Sequence, residues 1–314
     1  MTMQKRKKMT LYMKVFFAAL ISLIQIMPIV VVVVNSFRGN DEISKLMLGF
    51  PTKFHFENYA VAWTRGGYAY AYASSLIIGF GTAFSVVLLV GLAVYGLYKT
   101  DCFFKEFFKS YFVAGLAIPT FAVIVPLFFF FYKINLINTH IGMILIYIGI
   151  NIPFNFTFMS AFFEGMSKEL DEAARIDGAS EMQNLWHIVV PLAKPIMTSV
   201  MLIVFVNTWN EFLFSNTFLQ KEEMRTVSLR FFNFVGKNGA DYGYIYAAAI
   251  ISILPIIIIY FLMQDSFVEG MTTGSVNVGG LRQKIEADTK HPKYLHTVTN
   301  VGYKLTPITD NGQE

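Results

Sequence analysis

Of 314 residues, 55% are hydrophobic and only 15% are charged, well under the roughly 25% charge of an ordinary soluble domain. The mean hydropathy is +0.51 and 32 residues are Phe, so there is too little polar surface to close such a core in water, and lipid must act as the solvent. A single cysteine, Cys102, excludes an internal disulfide and a cysteine-based metal cage, and a net charge of +4 matters less than where its charges lie.

Six apolar runs approach or exceed the roughly 20 residues that cross a hydrocarbon core about 30 Å thick. They fall near 13–34, 71–97, 107–131, 139–163, 196–219 and 245–264. The expected fold is an all-α membrane protein of six transmembrane helices. The third run holds Pro119 and Pro126, the fourth Pro153 and the sixth Pro255. Membrane helices tolerate proline where neighbours re-satisfy the freed carbonyls, and such kinks serve either a pathway or packing.

The first run follows Lys5, Arg6, Lys7, Lys8 and Lys14 with no acidic residue before it. It is long and Val-rich and lacks a convincing cleavage site, which predicts a retained signal anchor whose first 12 residues lie in the cytoplasm. Alternating sides from there puts 16 of the 25 Lys and Arg inside and nine outside. The excess obeys the positive-inside rule and predicts that both termini are cytoplasmic.

The most informative stretch, 164–195, is the polar loop between the fourth and fifth runs, on the cytoplasmic side of this topology. Ser167 can cap a short helix whose first turns carry Glu169, Asp171 and Glu172, favourable at a positive helix N-terminus. Leu170, Ala173, Ala174 and Asp177 fall on one face, and Gly178 suits the left-handed position that ends a helix. Ser180 and Gln183 have the capping-box spacing of a second helix, striped by Leu185, Trp186 and Val189 and expected to stop at Pro191 and Pro195. Small alanines flanked by carboxylates and Arg175 fit a helix seated in a partner's groove, or equally an amphipathic surface helix without one.

Glu172-Ala173-Ala174, then Gly178, then Ile188-Val189-Val190-Pro191 resembles the EAA loop of ABC importer permeases, with Val190 where that pattern has Leu. The fuller string EAARIDGAS is similar to the carbohydrate branch of the family. Further similarities lie at Pro119 to Pro126, INLINTHIG (134–142), Ile152-Pro153-Phe154, Trp209-Asn210-Glu211-Phe212-Leu213 and VEGMTTGSV (268–276). Their order matches the second, maltose-type membrane subunit of sugar importers. The resemblance implies that 13–280 is an importer transmembrane domain working with a second, similar permease. It also implies two cytoplasmic ATPase subunits, which would use ATP and magnesium, and an extracytoplasmic solute-binding protein in a bacterial or archaeal inner membrane. Glu172, Ala173, Ala174, Asp177 and Gly178 would then belong to a coupling helix seated in an ATPase cleft. Closure of the ATPase dimer would switch the permease between conformations stabilised by different contacts.

The chain has no G-x-x-x-x-G-K-S/T phosphate loop, no defensible catalytic triad and no metal-ligand cluster, so neither enzyme activity nor a cofactor is expected in it. Polar residues inside spans are costly and mark candidate cavities. Asn207, Asn210 and Glu211, with Trp209 between them, form the best cluster, since aromatic faces and amides suit a sugar. The same residues could instead cap a broken helix, bind a neighbouring one or sit at the membrane interface. Asn151 and Asn155 around Pro153 are a weaker pair. A secondary transporter or channel is the alternative class, and Glu211 would be its candidate coupling-ion site.

The resemblance ends near Gly280. Residues 281–305 instead resemble the C-terminal end of a response-regulator winged-helix domain, with a hairpin expected from 294–298 and 301–305 around Thr299-Asn300. The front of such a domain is absent, and a fragment this short cannot bury a core alone. Its five basic and four acidic residues nearly cancel, so 281–314 is expected to be a mobile extension that does not bind nucleic acid.

Overall fold

The structure is a computed structural model. It describes residues 3–99, 104–166, 174, 176, 178–236, 239–272, 295–298 and 302–305. Contacts divide the chain into two units, Met1–Thr157 with Val200–Gln264, and Phe158–Ser199 with Asp265–Glu314.

Five helices are long and apolar enough to cross a membrane: Leu11–Ser36, Tyr68–Lys99, His140–Glu164, Glu181–Asn210 and Tyr242–Gln264. A sixth candidate, third in chain order, is a bent pair, a broken span or a re-entrant loop. Lys105–Gly115 and Thr120–Lys133 meet at 83°. The expectation was one span over 107–131 that tolerates its prolines with a kink, and Pro119 is the physical reason it breaks instead. The N–H groups of Leu116, Ala117 and Ile118 bond three residues back, tightening the last turn. Pro119 itself is extended and has no N–H with which to continue the ladder. Pro126 disrupts nothing, because it stands in the first turn of Ile124–Lys133, where its missing donor is not needed.

In the larger unit the second span supplies the central surface. An added Cβ at Gly79 would lie 2.8 Å from the Phe205 ring, so only glycine permits that approach. Ile78 joins Phe131, Met143, Tyr147, Phe214 and Phe218 in a buried cluster drawn from several helices. The first span behaves differently: none of its membrane-length window is buried. It is anchored at its end, where buried Arg38 donates to Asn35 Oδ1 at 2.8 Å and to the carbonyls of Leu46 and Met47. Asn58 donates to the carbonyls of Ser36 and Arg38, both at 3.0 Å.

In the smaller unit the capping box is present: Ser180 Oγ accepts from the Gln183 N–H, and Gln183 Oε1 accepts from the Ser180 N–H. The helix that follows does not stop at Pro191 or Pro195, as its sequence predicts, but runs on to Asn210. Residues Leu185–Val189 form a π-helical turn closed by Val190 N–H to the Leu185 carbonyl. That wider turn accommodates Pro191, and Pro195 is absorbed as membrane helices absorb prolines generally. The fifth span therefore starts earlier and ends earlier than 196–219.

Among the described residues, strand structure is confined to the pair Val235–Gly236 and Gly239–Ala240 and to an antiparallel hairpin, Leu295–Val298 with Gly302–Leu305. The hairpin register pairs Val298 with Gly302 and Leu295 with Leu305, close to the expected turn.

Candidate functional site

The fifth span ends at Asn210, and Glu211 and Phe212 interrupt it before a short helix, Leu213–Phe218. Glu211 closes that interruption. Its Oε1 accepts the Phe214 N–H at 2.9 Å, and its Oε2 accepts the Ser215 N–H at 3.1 Å. Tyr147, fully buried on the fourth span, donates its hydroxyl to Oε2 at 2.6 Å. With the Tyr147 proton committed there, Ser215 Oγ donates to Tyr147 Oη at 2.9 Å. The Ser228 hydroxyl donates to the Glu211 carbonyl at 2.8 Å. Acceptance on both carboxylate oxygens from two backbone donors is the work of a helix cap, and it satisfies N–H groups that otherwise have no partner at a helix start. Capping a broken helix was one of the readings open for this residue.

Beside the cap lies a cavity of about 450 Å³, whose walls include Asn207, Asn210, Glu211, Asn151, Phe121 and Phe212. Three of the four residues singled out in the fifth span are thus brought together, with Asn151 from the weaker pair. Asn207 and Asn210 are exposed; Asn210 donates to the Val206 carbonyl at 3.0 Å, which leaves its Oδ1 as an acceptor. Asn155 is fully buried and donates to the Asn151 carbonyl, so it stays inside the helix packing.

Trp209 turns elsewhere. It is buried, stacks on Phe205 with 5.5 Å between ring centroids, meets Tyr72 edge-on at 5.8 Å, and donates its indole N–H to the Ser252 carbonyl at 3.0 Å. It lines a different cavity of about 620 Å³, walled largely by Phe232, Ile245, Ala249 and Ile253 and reached also by Asn210.

In the loop between the fourth and fifth spans, Glu172, Ala173 and Asp177 lie outside the described residues. Ala174 is helical and buried, and Gly178 has φ +79°. The Ala179 N–H bonds the Ala174 carbonyl at 3.0 Å, five residues back. A left-handed residue followed by that bond is the Schellman closure of a helix, with Gly178 at the position where a side chain is disfavoured.

Several residues that organise the site escaped the sequence reading. Tyr147 was legible in principle, because Tyr147, Asn151 and Asn155 repeat at i, i+4 and i+8 on one helix face. Asn138, in the left-handed region at φ 58°, accepts the N–H groups of Gln220 (2.6 Å) and Lys221 (2.9 Å) and fixes the chain just after Leu213–Phe218. Next to it, Thr139 caps the fourth span by accepting the Gly142 N–H at 3.0 Å. Buried Arg230 pairs with Glu222 at 2.7 Å. The Thr139 cap is a local pattern, but nothing local announces the partners of Asn138.

Membrane-length helices with a cavity beside a capped helix break suit a membrane transport subunit. The chain belongs to the binding-protein-dependent transport system inner membrane component family, whose profile matches residues 88–273. The chain is 32% identical over 249 residues to the probable ABC transporter permease protein YurM of Bacillus subtilis, covering 79% of this chain and 83% of that one. It is 30% identical over 263 residues to the diacetylchitobiose uptake system permease protein NgcG of Streptomyces coelicolor, covering 83% and 85%. Its fold resembles a chain in the crystal structure of a bacterial ABC transporter involved in import of the acidic polysaccharide alginate. There the TM-score is 0.73 at 20% identity, over 85% of this chain and 99% of that one. The protein is accordingly a multi-pass permease subunit of an ABC importer, a class in which partner ATPases consume the ATP.

Proposed function

We propose that this subunit forms, with a second homologous permease, the pathway by which a sugar or oligosaccharide crosses the inner membrane. Two cytoplasmic ATPase subunits using ATP and magnesium drive it, and an extracytoplasmic solute-binding protein delivers the cargo. Both termini face the cytoplasm. Glu172, Ala173, Ala174, Asp177 and Gly178 form the coupling helix that seats in an ATPase cleft. Asn207, Asn210 and Glu211 wall the pathway, and Trp209 backs them by packing. The observation that carries the coupling assignment is the terminated helix at Ala174–Ala179, in the loop between the fourth and fifth spans. A sugar cargo is supported by the diacetylchitobiose relative and by a cavity that pairs amides with aromatic rings.

Deleting 168–179 tests the coupling helix. The expected result is loss of both uptake and the co-purifying ATPase, whereas uptake that survives the deletion would indicate a transporter working without an ATPase. Against that alternative stands the engagement of Glu211, whose two oxygens are already held by three donors instead of being open to a coupling ion.

A further inference from the structure

We propose that the cavity beside Glu211 is charge-selective: it receives uncharged, hydroxyl-rich saccharides and repels anionic ones such as uronates. The inference rests on the pathway reading above and adds the class of sugar to it. Among the described residues lining the cavity, Glu211 alone carries a charge, and no Lys, Arg or His offsets it. Its hydrogen bonds do not neutralise it either, because they come from backbone amides and a phenol rather than from a cation. With both oxygens engaged, the carboxylate contributes a negative field more than a contact to cargo.

Recognition then falls to the neutral groups. Asn207 has no intramolecular partner among the described residues and offers an amide donor and acceptor, while Asn210 offers its Oδ1. Phe121 and Phe212 supply apolar faces for a pyranose ring. The volume of about 450 Å³ lies within the range of small-molecule sites, roughly 300–1,000 Å³. An anionic sugar would meet a carboxylate with no cation beside it in a partly apolar space, where like charges repel more strongly than in water. The importer with the same fold that handles alginate shows that the fold itself does not fix the charge class of the cargo.

The test reads the field directly and needs no knowledge of the natural sugar. Asn207→Cys is placed on a Cys102→Ser background in the assembled importer in membranes. Its rates of reaction are measured with three methanethiosulfonates: neutral methyl, cationic trimethylammonium-ethyl and anionic sulfonatoethyl, the last standing for an acidic sugar. Any change in thiolate fraction cancels in the cation-to-anion ratio. That ratio should exceed the value for 2-mercaptoethanol by about tenfold or more and shrink as salt is raised. Adding Glu211→Gln should bring it close to the free-thiol value. If that variant does not assemble, the ratio and its salt dependence with Glu211 intact decide the matter. A ratio equal to that of the free thiol, with the neutral reagent reacting, overturns the charge selectivity and leaves the pathway standing. Failure of the neutral reagent to react overturns both, since the cavity would then be closed to water.

Discussion

Two interruptions of membrane-length helices can be set side by side, and they are made in opposite ways. At 116–119 a donor is missing: Pro119 cannot continue the ladder, no side chain caps the helix that follows, and no residue of Lys105–Gly115 is buried. At 211–212 an acceptor is added: a carboxylate takes the orphan N–H groups of the next helix, and a buried tyrosine holds the carboxylate. The first break bends its span by 83°, and the second shapes the wall of a cavity. A break held by side-chain bonds is costly to disturb, whereas a break made by a missing donor has few contacts to lose.

Substitutions rank accordingly. Glu211→Ala should have the largest effect, because it strands two backbone donors and leaves the buried Tyr147 hydroxyl with Ser215 alone. Each such orphan costs about 1–3 kcal/mol, so the assembled importer should be lost from membranes, as read by immunoblot and uptake. Tyr147→Phe keeps the cap and removes one hydrogen bond to a charged group, about 1.5–3 kcal/mol. It should lower the melting temperature of the purified complex while uptake persists at reduced rate. Pro119→Ala restores a donor at the other break. It should change stability by less than about 1 kcal/mol and shorten or straighten the bend, as read by spin-label distances across 105–133. Gly178→Ala adds a methyl that meets nothing within 4 Å, so its cost is backbone alone, about 1 kcal/mol. Fraying of that helix end should appear as a weaker hold on the ATPase in co-purification. Truncation after Gly280 touches neither break and should leave uptake unchanged.

How much of this was legible in the sequence follows from range. Hydropathy located the membrane-length runs, and the local signals at Ser180, Gln183 and Gly178 act within a few residues, so they were readable as written. Two errors came from proline. Pro119 was accepted inside a helix it breaks, and Pro191 and Pro195 were given a stop they do not make, because the outcome depends on the π turn before Pro191 and on neighbouring helices. For the cavity, Asn207, Asn210 and Glu211 could be nominated by their cost in a membrane. Which of them faces the cavity could not, and Trp209 faces away. The charge count also treated Arg38 and Arg230 as free cations, yet both are buried in internal pairs. Neither role can be read from a count of charges along the chain.

The first helix carries a consequence of its own. Its apolar stretch, Leu11–Ser36, has 26 residues, and at about 1.5 Å per residue it is roughly 39 Å long against a hydrocarbon core of about 30 Å. No residue of its membrane-length window is buried, while Asn35, Ser36 and Arg38 pin its far end. With its far end pinned, such a helix takes up excess length by tilt or by a kink at Pro28. Bilayer thickness becomes the setting of that tilt: a thicker membrane stands the helix upright, and a thinner one swings its N-terminal end sideways through the lipid.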